Sequence, residues 1–382
     1  MERIYVDHAA TTPMHPVVVE KMTETMRDQF GNPSSIHFFG RDARKIVDEA
    51  RFGIARSIGA HETEIIFTSG GTEADNYAIL GVAGASKEKG NHIITTVIEH
   101  HAVLHACQEL EKRGFDVTYL PVDETGRISM TDFQDALRDD TILVTIMYGN
   151  NEVGSIQPIA QIGQLLLGHQ AVFHTDAVQA YGIERIDVSE LKVDLLSTSA
   201  HKINGPKGIG FLYIKNGVKL SPHSFGGEQE RKRRAGTENV PAIAGFLEAV
   251  KISGMDQEKR KQQYILYKET LRKILKTRNI EFHINGTLET ALPHVLNISF
   301  PGTNVEALLV NLDLAGIAVS SGSACTAGTV EPSHVLVAMF GEAESDRLTN
   351  SIRFSFGMTN TVEQIEKVGD ELAKIIQRLI NR

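Results

Sequence analysis

The sequence lacks tryptophan altogether, and it has only two cysteines in 382 residues. Two cysteines cannot build a disulfide framework, so Cys107 and Cys325 are expected to be reduced thiols of a cytoplasmic protein. The chain also lacks any uninterrupted apolar run of about 18 residues, which a membrane-spanning helix needs. Its opening run, MERIYVDHAA, carries charged side chains where a secretory signal needs an apolar block. We therefore expect a soluble protein that is not exported.

The sequence has no excess of basic charge, because 39 lysines and arginines stand against 48 aspartates and glutamates. The resulting net charge of -9 disfavours direct, non-specific binding to nucleic acid. What is present is an ordinary globular composition, with 41% hydrophobic and 23% charged residues. A small molecule or another protein is therefore the expected partner.

Short apolar runs alternate with amphipathic stretches through the first part of the chain. The runs predict seven β-strands, namely EIIFTSG, HIITTV, DVTYLPV, ILVTIMYG, AVFHTDA, VDLLSTSA and GIGFLYI. Apolar residues at three- and four-residue spacing predict helices over residues 42–58, 73–82, 101–112 and 159–167. Strands separated by helices indicate an α/β fold with an open, mostly parallel seven-stranded sheet.

The length of the chain predicts more than one domain, since a domain takes about 150 residues. Residues 242–276 predict a long helix, and the strand-like runs HVLNISF, LAGIAVSSG and NSIRFSFG follow it, with a last helix from Thr361. We expect a large domain over residues 15–255. Residues 1–14 and 256–382 are expected to form a smaller α+β domain that carries the loop around Cys325.

Lys202 ends the predicted strand LLSTSAHK. Sheets of this kind bind ligands at the carboxyl ends of their strands, and Ser69, Asn151 and Asp176 follow other strands. A lysine in this place can hold the aldehyde of pyridoxal phosphate as a Schiff base. Taken alone, a lysine at a strand end is more often a solvated surface residue.

Asp176 and Gln179 follow one strand end, FHTDAVQ. A carboxylate at position 176 would keep the ring nitrogen of the cofactor protonated, and this partner would remove the cost of a buried unpaired charge. Gln179 is expected to reach the ring oxygen. The alternatives are that Asp176 caps a helix beginning near Val178 and that Gln179 is helix surface.

The segment FTSGGTEADN places two glycines and Thr72 between a strand and a helix. Glycines let the backbone approach a ligand closely, and a helix N-terminus offers unpaired amides, so residues 69–72 predict a phosphate site. Ser199 and His201 are expected to donate to the same phosphate. The alternative is an ordinary helix start with Thr72 as its cap.

His100 follows a strand and can lay its ring against a cofactor. His101 and His105 are four residues apart on one helix face with Cys107 close by, which leaves a metal site as an alternative. Cys107 itself is expected to be a small buried residue.

Cys325 lies in SSGSACTAG, a run too small and flexible to be core. We expect an exposed thiol there, which needs a nearby cation or helix end to become a thiolate at neutral pH. Arg353, in SIRFSFG, can bind a substrate carboxylate through two parallel hydrogen bonds. The alternatives are an incidental surface cysteine and a strand-edge arginine. The basic run 231–234 is either a solvated face or a docking patch for an acidic or RNA-bearing partner.

A series of motifs in fixed order resembles the NifS/IscS-type cysteine desulfurases, which belong to the class V aminotransferases and include a subgroup with an SSGSAC loop. The resemblance runs from Tyr5 to about Gly357 and rests on DHAATTP, FGNPSSIH, FTSGGTEADN, EHHAV, GNNEVG, DAVQ, STSAHKINGPKGIG, RAGTENV, SSGSACT, EPSHVL and SIRFSFG. It implies the type I aminotransferase fold of enzymes that depend on pyridoxal 5'-phosphate, assembled as a homodimer. It also implies conversion of L-cysteine to L-alanine, with the sulfur held as a persulfide.

The resemblance implies a role for each matching residue. Lys202 matches the Schiff-base lysine that also removes the substrate α-proton, and Cys325 matches the persulfide-forming cysteine. Asp176 matches the partner of the ring nitrogen, Gln179 that of the ring oxygen, and His100 the ring-stacking acid or base. The phosphate donors are matched by Gly71, Thr72, Ser199, His201 and, across the dimer interface, Thr237. Asn151 and Arg353 match the residues that hold the substrate carboxylate, with Asn151 also beside the cofactor.

The implied acceptor of the sulfur is an iron-sulfur scaffold protein or a tRNA thiouridylase. No metal site is implied, although Cys325 could ligate an iron-sulfur cluster transiently in a partner complex. Within the same fold the alternative is a selenocysteine lyase or another lyase or transaminase, and Cys325 on its small-residue loop favours sulfur transfer. The alternatives outside this fold are a binding module that uses residues 231–234 and a metal-dependent hydrolase.

Overall fold

The computed structural model describes residues 2–322, 325 and 326, 329 and 330, 332–342 and 345–381, with only the backbone described at residues 325, 326, 329, 330 and 345. In chain order the described strands are β1 (Ile4–Tyr5), β2 (Ile65–Thr68), β3 (His92–Thr96), β4 (Asp116–Leu120), β5 (Thr141–Thr145), β6 (Val172–Asp176), β7 (Leu195–Ser199), β8 (Gly210–Ile214), β9 (His283–Asn285), β10 (Val295–Ser299), β11 (Ile317–Ala318), β12 (Cys325–Thr326), β13 (Thr329–Val330) and β14 (Ser351–Ser355).

The described helices connect these strands, and two single turns of 3-10 helix, Glu62–Glu64 and Ala200–Lys202, lie between them. The α-helices are α1 (Pro16–Asp28), α2 (Phe38–Ser57), α3 (Gly71–Ser86), α4 (His101–Lys112), α5 (Met130–Ala136), α6 (Ile159–Leu165), α7 (Val188–Leu191), α8 (Gln229–Lys232), α9 (Val240–Gly254), α10 (Gln257–Thr277), α11 (Val305–Leu314), α12 (His334–Phe340), α13 (Ser345–Thr349) and α14 (Val362–Ile380).

A seven-stranded sheet forms the centre of the molecule, in the order β2-β8-β7-β6-β5-β3-β4. Neighbouring strands from β7 to β4 pair in parallel, whereas β8 pairs antiparallel with both β7 and β2. The predicted seven strands and the mostly parallel sheet are therefore confirmed. The predicted helices are also confirmed as α2, α3, α4 and α6, with ends that differ by a few residues.

Helices cover both faces of this sheet. Alternate residues of a strand point to opposite faces, and Ile65 and Phe67 belong to one hydrophobic core whereas Ile66 belongs to another. Helices α2 and α9 contribute to the first core, and α3 and α4 contribute to the second. Strands β3, β5 and β7 are consequently buried at every position.

A second, antiparallel sheet has the order β14-β10-β9. Its core includes Phe354 from β14, Leu271 from α10 and Leu372 from α14. The N-terminal strand β1 pairs in parallel with β11, and Ile4 belongs to this same core. The division of the chain at residue 255 stays a prediction.

The predicted single helix over residues 242–276 is wrong. The structure has two helices, α9 and α10, separated at Met255 and Asp256. Asp256 has a φ of 49°, a left-handed conformation that no right-handed helix continues through. The predicted last helix is confirmed as α14, with Thr361 as its N-cap. Among the described residues, no helix combines the length and the apolar character needed to cross a membrane.

Candidate active site

A cavity of about 440 Å³ lies beyond the carboxyl ends of β6 and β7, between the two sheets. Its lining brings together residues that are far apart in the sequence, from the N-terminal segment to β14. The predicted site residues that line it are Gly71, Thr72, His100, Asn151, Asp176, Gln179, Ser199, His201, Lys202 and Arg353.

Lys202 lies on the 3-10 turn that follows β7 and faces this cavity. Its Nζ donates hydrogen bonds to the carbonyl oxygens of Ala9, at 2.5 Å, and Ala10, at 2.8 Å. Burial and the nearby Arg353 guanidinium lower the pKa of Lys202 to about 8. A larger fraction of this amine is therefore neutral at physiological pH than for an ordinary lysine, as a nucleophile or base requires.

Asp176 is the last residue of β6 and is 7% exposed. Its Oδ1 accepts a hydrogen bond from the Val178 amide at 2.8 Å, within a turn in which the amides of Ala180 and Tyr181 both bond to the Ala177 carbonyl. Because this turn is not an α-helix, the alternative of a helix cap at Asp176 is wrong. The net pKa of Asp176 is raised to about 6, because the effect of burial exceeds the opposite effect of the Lys202 charge.

Gln179 is buried beside Asp176, so the alternative of a helix-surface residue is also wrong. Its Nε2 donates to the Ala9 carbonyl at 2.9 Å, and its Oε1 lies 3.4 Å from Nε2 of His294. The Ala9 carbonyl thus accepts from both Gln179 and Lys202, which fixes the two side chains relative to each other.

Two buried acids beside Asp176 were missed by the sequence analysis. Asp75, one helical turn into α3, is 1% exposed and lines the cavity, and burial and Asp176 raise its pKa well above the ordinary value. Burial raises the pKa of Glu99 to about 8, although Glu99 accepts hydrogen bonds from the Met147 amide and the Thr96 hydroxyl. The spacing of Gly71 and Asp75 on one face of α3 was the available signal for Asp75.

The predicted phosphate segment leads into α3. The helix has Gly70 as its N-cap, with a φ of 150°, so the alternative of Thr72 as the cap is wrong. A Cβ atom on Gly71 would lie 2.7 Å from Cγ2 of Val178, so only glycine fits there without displacement of this side chain. Ser199 and His201 line the same cavity, and burial lowers the pKa of His201 to about 4. The helix N-terminus and these polar side chains suit an anion.

His100 caps α4, where its Nδ1 accepts a hydrogen bond from the Ala102 amide at 3.1 Å. Packing around the ring and the nearby Lys202 lower the pKa of His100 to about 4, so the imidazole is neutral at physiological pH. Because Nδ1 accepts from this amide, the neutral ring carries its proton on Nε2, so it can lie against a flat cofactor and donate a hydrogen bond from Nε2.

Arg353 lies on the edge strand β14 and is 4% exposed. Its Nη2 donates to Oδ1 of Asp7 at 2.7 Å, and its Nη1 donates to the carbonyl of Asn151 at 3.0 Å. Its Nε is buried and has no hydrogen-bond partner among the described residues. The guanidinium, which lines the cavity, is thus held in place by Asp7 and the Asn151 carbonyl.

Two predicted site residues are not placed at the cavity. Thr237 is exposed and does not line it. The backbone of Cys325 lies in β12, which pairs with β13, but its side chain lies outside the described residues, as do residues 323, 324, 327 and 328. Ser320 and Gly322, just before this segment, line the cavity.

The alternative functions depend on a metal site at His101, His105 and Cys107 and on the basic run 231–234. The rings of His101 and His105 are 5.2 Å apart, but the described residues contain no group of three potential ligands that could hold a metal ion. Cys107 is fully buried, as predicted, and burial raises the pKa of its thiol to about 12. In the basic run, Lys232 pairs with Glu228 at 2.9 Å and Arg234 pairs with Glu73 at 2.8 Å.

Comparison with known proteins identifies relatives over nearly the whole chain. Residues 4–368 match the family Aminotransferase class-V. The chain is 62% identical over 379 residues to the protein IscS 1 of Bacillus subtilis (strain 168), covering 99% of this chain and 100% of that protein. It is 47% identical over 382 residues to the cysteine desulfurase IscS of Methanosarcina thermophila, covering 99% and 93%.

Solved structures also match this chain over most of its length. A NifS-like protein superposes with a TM-score of 0.92 at 35% identity, covering 99% of this chain and 100% of that one. The protein SspA in complex with cysteine superposes with a TM-score of 0.80 at 37% identity, covering 92% and 98%.

Proposed function

This chain belongs to the class V aminotransferase family and, within it, to the IscS-type cysteine desulfurases. On that premise we propose that it converts L-cysteine to L-alanine. Pyridoxal phosphate is bound at Lys202, and the sulfur is held as a persulfide on Cys325. The observation that carries the proposal is the meeting, in one cavity, of the Lys202 amine of lowered pKa, the buried Asp176 carboxyl and the Arg353 guanidinium.

The residues of the cavity fit pyridoxal phosphate. Asp176 offers a buried carboxyl whose charge needs a cationic partner, which a protonated ring nitrogen supplies. Gln179 would bind the ring oxygen, and His100 would stack on the ring. The phosphate donors are Gly71, Thr72, Ser199 and His201. When bound, the cofactor supplies an electron sink that stabilises negative charge on the α-carbon of an amino acid.

The side chains of the chain divide the remaining work. Arg353 and Asn151 bind the substrate carboxylate, since both residues line the cavity and the guanidinium is the charge of opposite sign there. Lys202 takes the α-proton as a neutral amine, which its lowered pKa makes available near neutral pH. His100, neutral at that pH, carries its proton on Nε2, because Nδ1 accepts from the Ala102 amide, and can donate from Nε2 into the cavity.

Cys325 performs the sulfur step. Its thiolate attacks the substrate sulfur, so that a sulfur–sulfur bond forms as the carbon–sulfur bond breaks. The electron pair of the broken bond stays with the organic fragment, which takes up one proton at its β-carbon, regains the α-proton from Lys202 and leaves as alanine. Atoms and electrons balance without an external oxidant or reductant, and the sulfur remains on the enzyme as a persulfide.

The test is the Cys325→Ala variant of the purified enzyme. It is expected to retain the visible absorbance of the cofactor and to lose alanine production from L-cysteine. Cys107→Ala is the matched control, because Cys107 is a fully buried thiol that does not line the cavity, and it is expected to retain activity. Normal turnover of L-cysteine by Cys325→Ala would refute the persulfide role.

We also propose a homodimer. Ile36 is 91% exposed, Phe30 75% and Phe38 56%, around the start of α2, and such an apolar patch needs a cover. A second copy of the chain would cover it and bring Thr237, which is exposed, to the phosphate of the partner. Light scattering is expected to give a mass near twice the 42.0 kDa of the chain, and Ile36→Asp is expected to lower it.

The acceptor of the sulfur is proposed to be a cytoplasmic protein, either an iron-sulfur scaffold or a tRNA thiouridylase. Incubation of the persulfide form with each candidate and mass analysis of the acceptor cysteines distinguishes the two. The candidate that gains the sulfur is the acceptor, and transfer to neither overturns this part of the proposal.

A further inference from the structure

Glu152 is a buried acid of the cavity wall for which the proposed reaction has no use. It is 3% exposed and follows Asn151 in a tight turn. Oδ1 of Asn150 accepts hydrogen bonds from the amides of Glu152, at 2.8 Å, and Val153, at 3.0 Å. Nδ2 of Asn297, on β10, donates to the Glu152 carbonyl at 3.2 Å. The backbone of Glu152 is therefore fixed between the two sheets.

The carboxyl of Glu152 contacts Ser333. The two side-chain oxygens, Oε2 of Glu152 and Oγ of Ser333, are 2.5 Å apart. Oγ of Ser333 also accepts the Leu336 amide at 3.2 Å, as the N-cap of α12. The Ser333 hydroxyl therefore accepts a hydrogen bond from the Leu336 amide and donates its own proton to Glu152. One hydroxyl thus joins Glu152 to the start of α12.

The same carboxyl oxygen lies against Gly322. A Cβ atom at position 322 would be 2.7 Å from Oε2 of Glu152, and Gly322 has a φ of 88°, so glycine is needed there for space and for conformation. The Gly322 amide donates to Oγ of Ser320 at 3.1 Å. Ser320 is in turn paired with the backbone of Arg353. Glu152 therefore touches a residue that is tied to the carboxylate-binding arginine.

Gly322 and Ser333 are the described residues on the two sides of the segment that contains Cys325. A single carboxyl oxygen contacts both of them. Charge pairing does not account for Glu152, because no cation forms an ion pair with it among the described residues, and Arg353 and His101 act on it only at longer range. Its contacts are those of an anchor for two chain segments.

We propose that Glu152 is a positioning residue for sulfur transfer, whose carboxyl holds Gly322 and Ser333 against the cavity wall and thereby sets the approach of Cys325 to the substrate sulfur. This inference rests on the proposed persulfide role of Cys325. The rate of a step between two held groups depends steeply on their relative placement, and a displacement of about 1 Å can cost about 100-fold. Loss of the anchor is therefore expected to slow sulfur transfer more than it weakens the binding of L-cysteine.

The experiment follows two signals after the holoenzyme is mixed with L-cysteine. The change in cofactor absorbance reports substrate binding, and the mass of the peptide containing Cys325 reports the persulfide. Glu152→Ala is expected to bind L-cysteine within about threefold of the wild type and to form the persulfide at least about tenfold more slowly. Glu152→Gln is expected to recover most of the rate, because its amide oxygen can still accept from Ser333.

Two further variants control the comparison. Ser333→Ala removes the same contact from the other side and is expected to slow the persulfide step in the same way, so it carries the test if Glu152→Ala fails to fold. Glu64→Ala removes a buried carboxyl that accepts from the Asn216 amide at 2.9 Å and does not line the cavity. It is expected to leave both signals unchanged.

Persulfide formation at the wild-type rate in Glu152→Ala or, if that variant does not fold, in Ser333→Ala overturns the inference. An equal loss of both signals in Glu152→Ala also overturns it, because Glu152 would then act on the substrate and not on the Cys325 segment. Absence of a persulfide on wild-type Cys325 overturns the proposed function instead, so the two failures are distinguishable.

Discussion

Three buried carboxyl groups, on Asp75, Glu99 and Asp176, lie close together, and two of them, Asp75 and Asp176, line the cavity. Burial raises the pKa of all three groups, and the charge of Asp176 raises the pKa of Asp75 and of Glu99 further. Lys202 favours the charged form of Asp176 alone among the three. Lys202 thereby favours negative charge on the group that is proposed to pair with the ring nitrogen of the cofactor.

This distribution of charge predicts different results for two similar variants. Asp176→Asn removes the partner of the ring nitrogen and is expected to lower alanine production at least about 100-fold, the usual scale for loss of one preorganised electrostatic group. Asp75→Asn replaces a carboxyl whose pKa is raised by burial and by Asp176 with an isosteric amide, and it is expected to retain most of the activity. Steady-state alanine assays test both, and equal losses in the two variants would contradict the assignment.

Lys202 predicts a pH dependence for cofactor uptake. An amine attacks an aldehyde only when unprotonated, and the pKa of Lys202 is lowered to about 8 from an ordinary value of about 10.4. The rate at which cofactor-free protein takes up pyridoxal phosphate is therefore expected to rise with pH and to level off above about pH 8. Stopped-flow absorbance measures this rate, and a rise that continues to pH 10 would contradict the lowered pKa.

Arg353 predicts a specific failure of a conservative change. Arg353→Lys keeps the charge, but a compact ammonium does not reproduce the planar guanidinium whose two Nη atoms reach Asp7 and the Asn151 carbonyl at once. We expect KM for L-cysteine to rise about tenfold or more, with a smaller effect on kcat. Arg278→Lys, in an exposed pair with Asp370, is the control and should change neither constant.

Among the secondary-structure elements, α8 is held in an unusual conformation. Glu230, Arg231 and Lys232 all have positive φ angles, between 46° and 65°, which ordinary residues adopt at a cost of about 1–3 kcal/mol each. The compensating contact is the 6%-exposed Glu230, which accepts two hydrogen bonds from the Arg51 guanidinium, at 2.7 and 2.9 Å, and one from the Phe67 amide. The turn lies a few residues before Thr237.

Glu230→Gln is therefore expected to destabilise the fold. It leaves the buried Arg51 guanidinium without its counter-charge, which costs about 3–5 kcal/mol when one partner of a buried pair is removed. Chemical denaturation measures the change in the free energy of unfolding. Lys232→Gln, which breaks only the exposed pair with Glu228, is expected to cost less than about 1 kcal/mol. Similar losses in the two variants would contradict the anchoring role of Glu230.

Across the whole molecule, local patterns predicted the elements of the main sheet but not every relation between them. The sequence indicates the strands because their apolar runs are continuous, as in β5, where every residue is buried. The antiparallel direction of β8 was not predicted, although residues 200–209 between β7 and β8 are too few for a crossover helix. The break at Asp256 was missed because an amphipathic pattern does not report backbone angles.

The same distinction applies to the site. The places of Lys202 and Asp176 in the cavity could be predicted because each lies at or just past the end of a strand, whereas Arg353, in the middle of β14, was predicted from its residue type alone. Asp75 and Glu99 could not, since their raised pKa values come from burial and from Asp176, which is distant from both in the sequence. The contact of Glu152 with Ser333 joins residues 181 positions apart and leaves no local signal.

The central claim is that Lys202 holds pyridoxal phosphate covalently, and reduction of the purified holoenzyme with borohydride tests it most directly. Peptide mass analysis is expected to find the reduced phosphopyridoxyl group on the peptide containing Lys202, and the Lys202→Ala variant is expected to lack it. A reduced adduct on another lysine, or no adduct in protein saturated with the cofactor, would contradict the account.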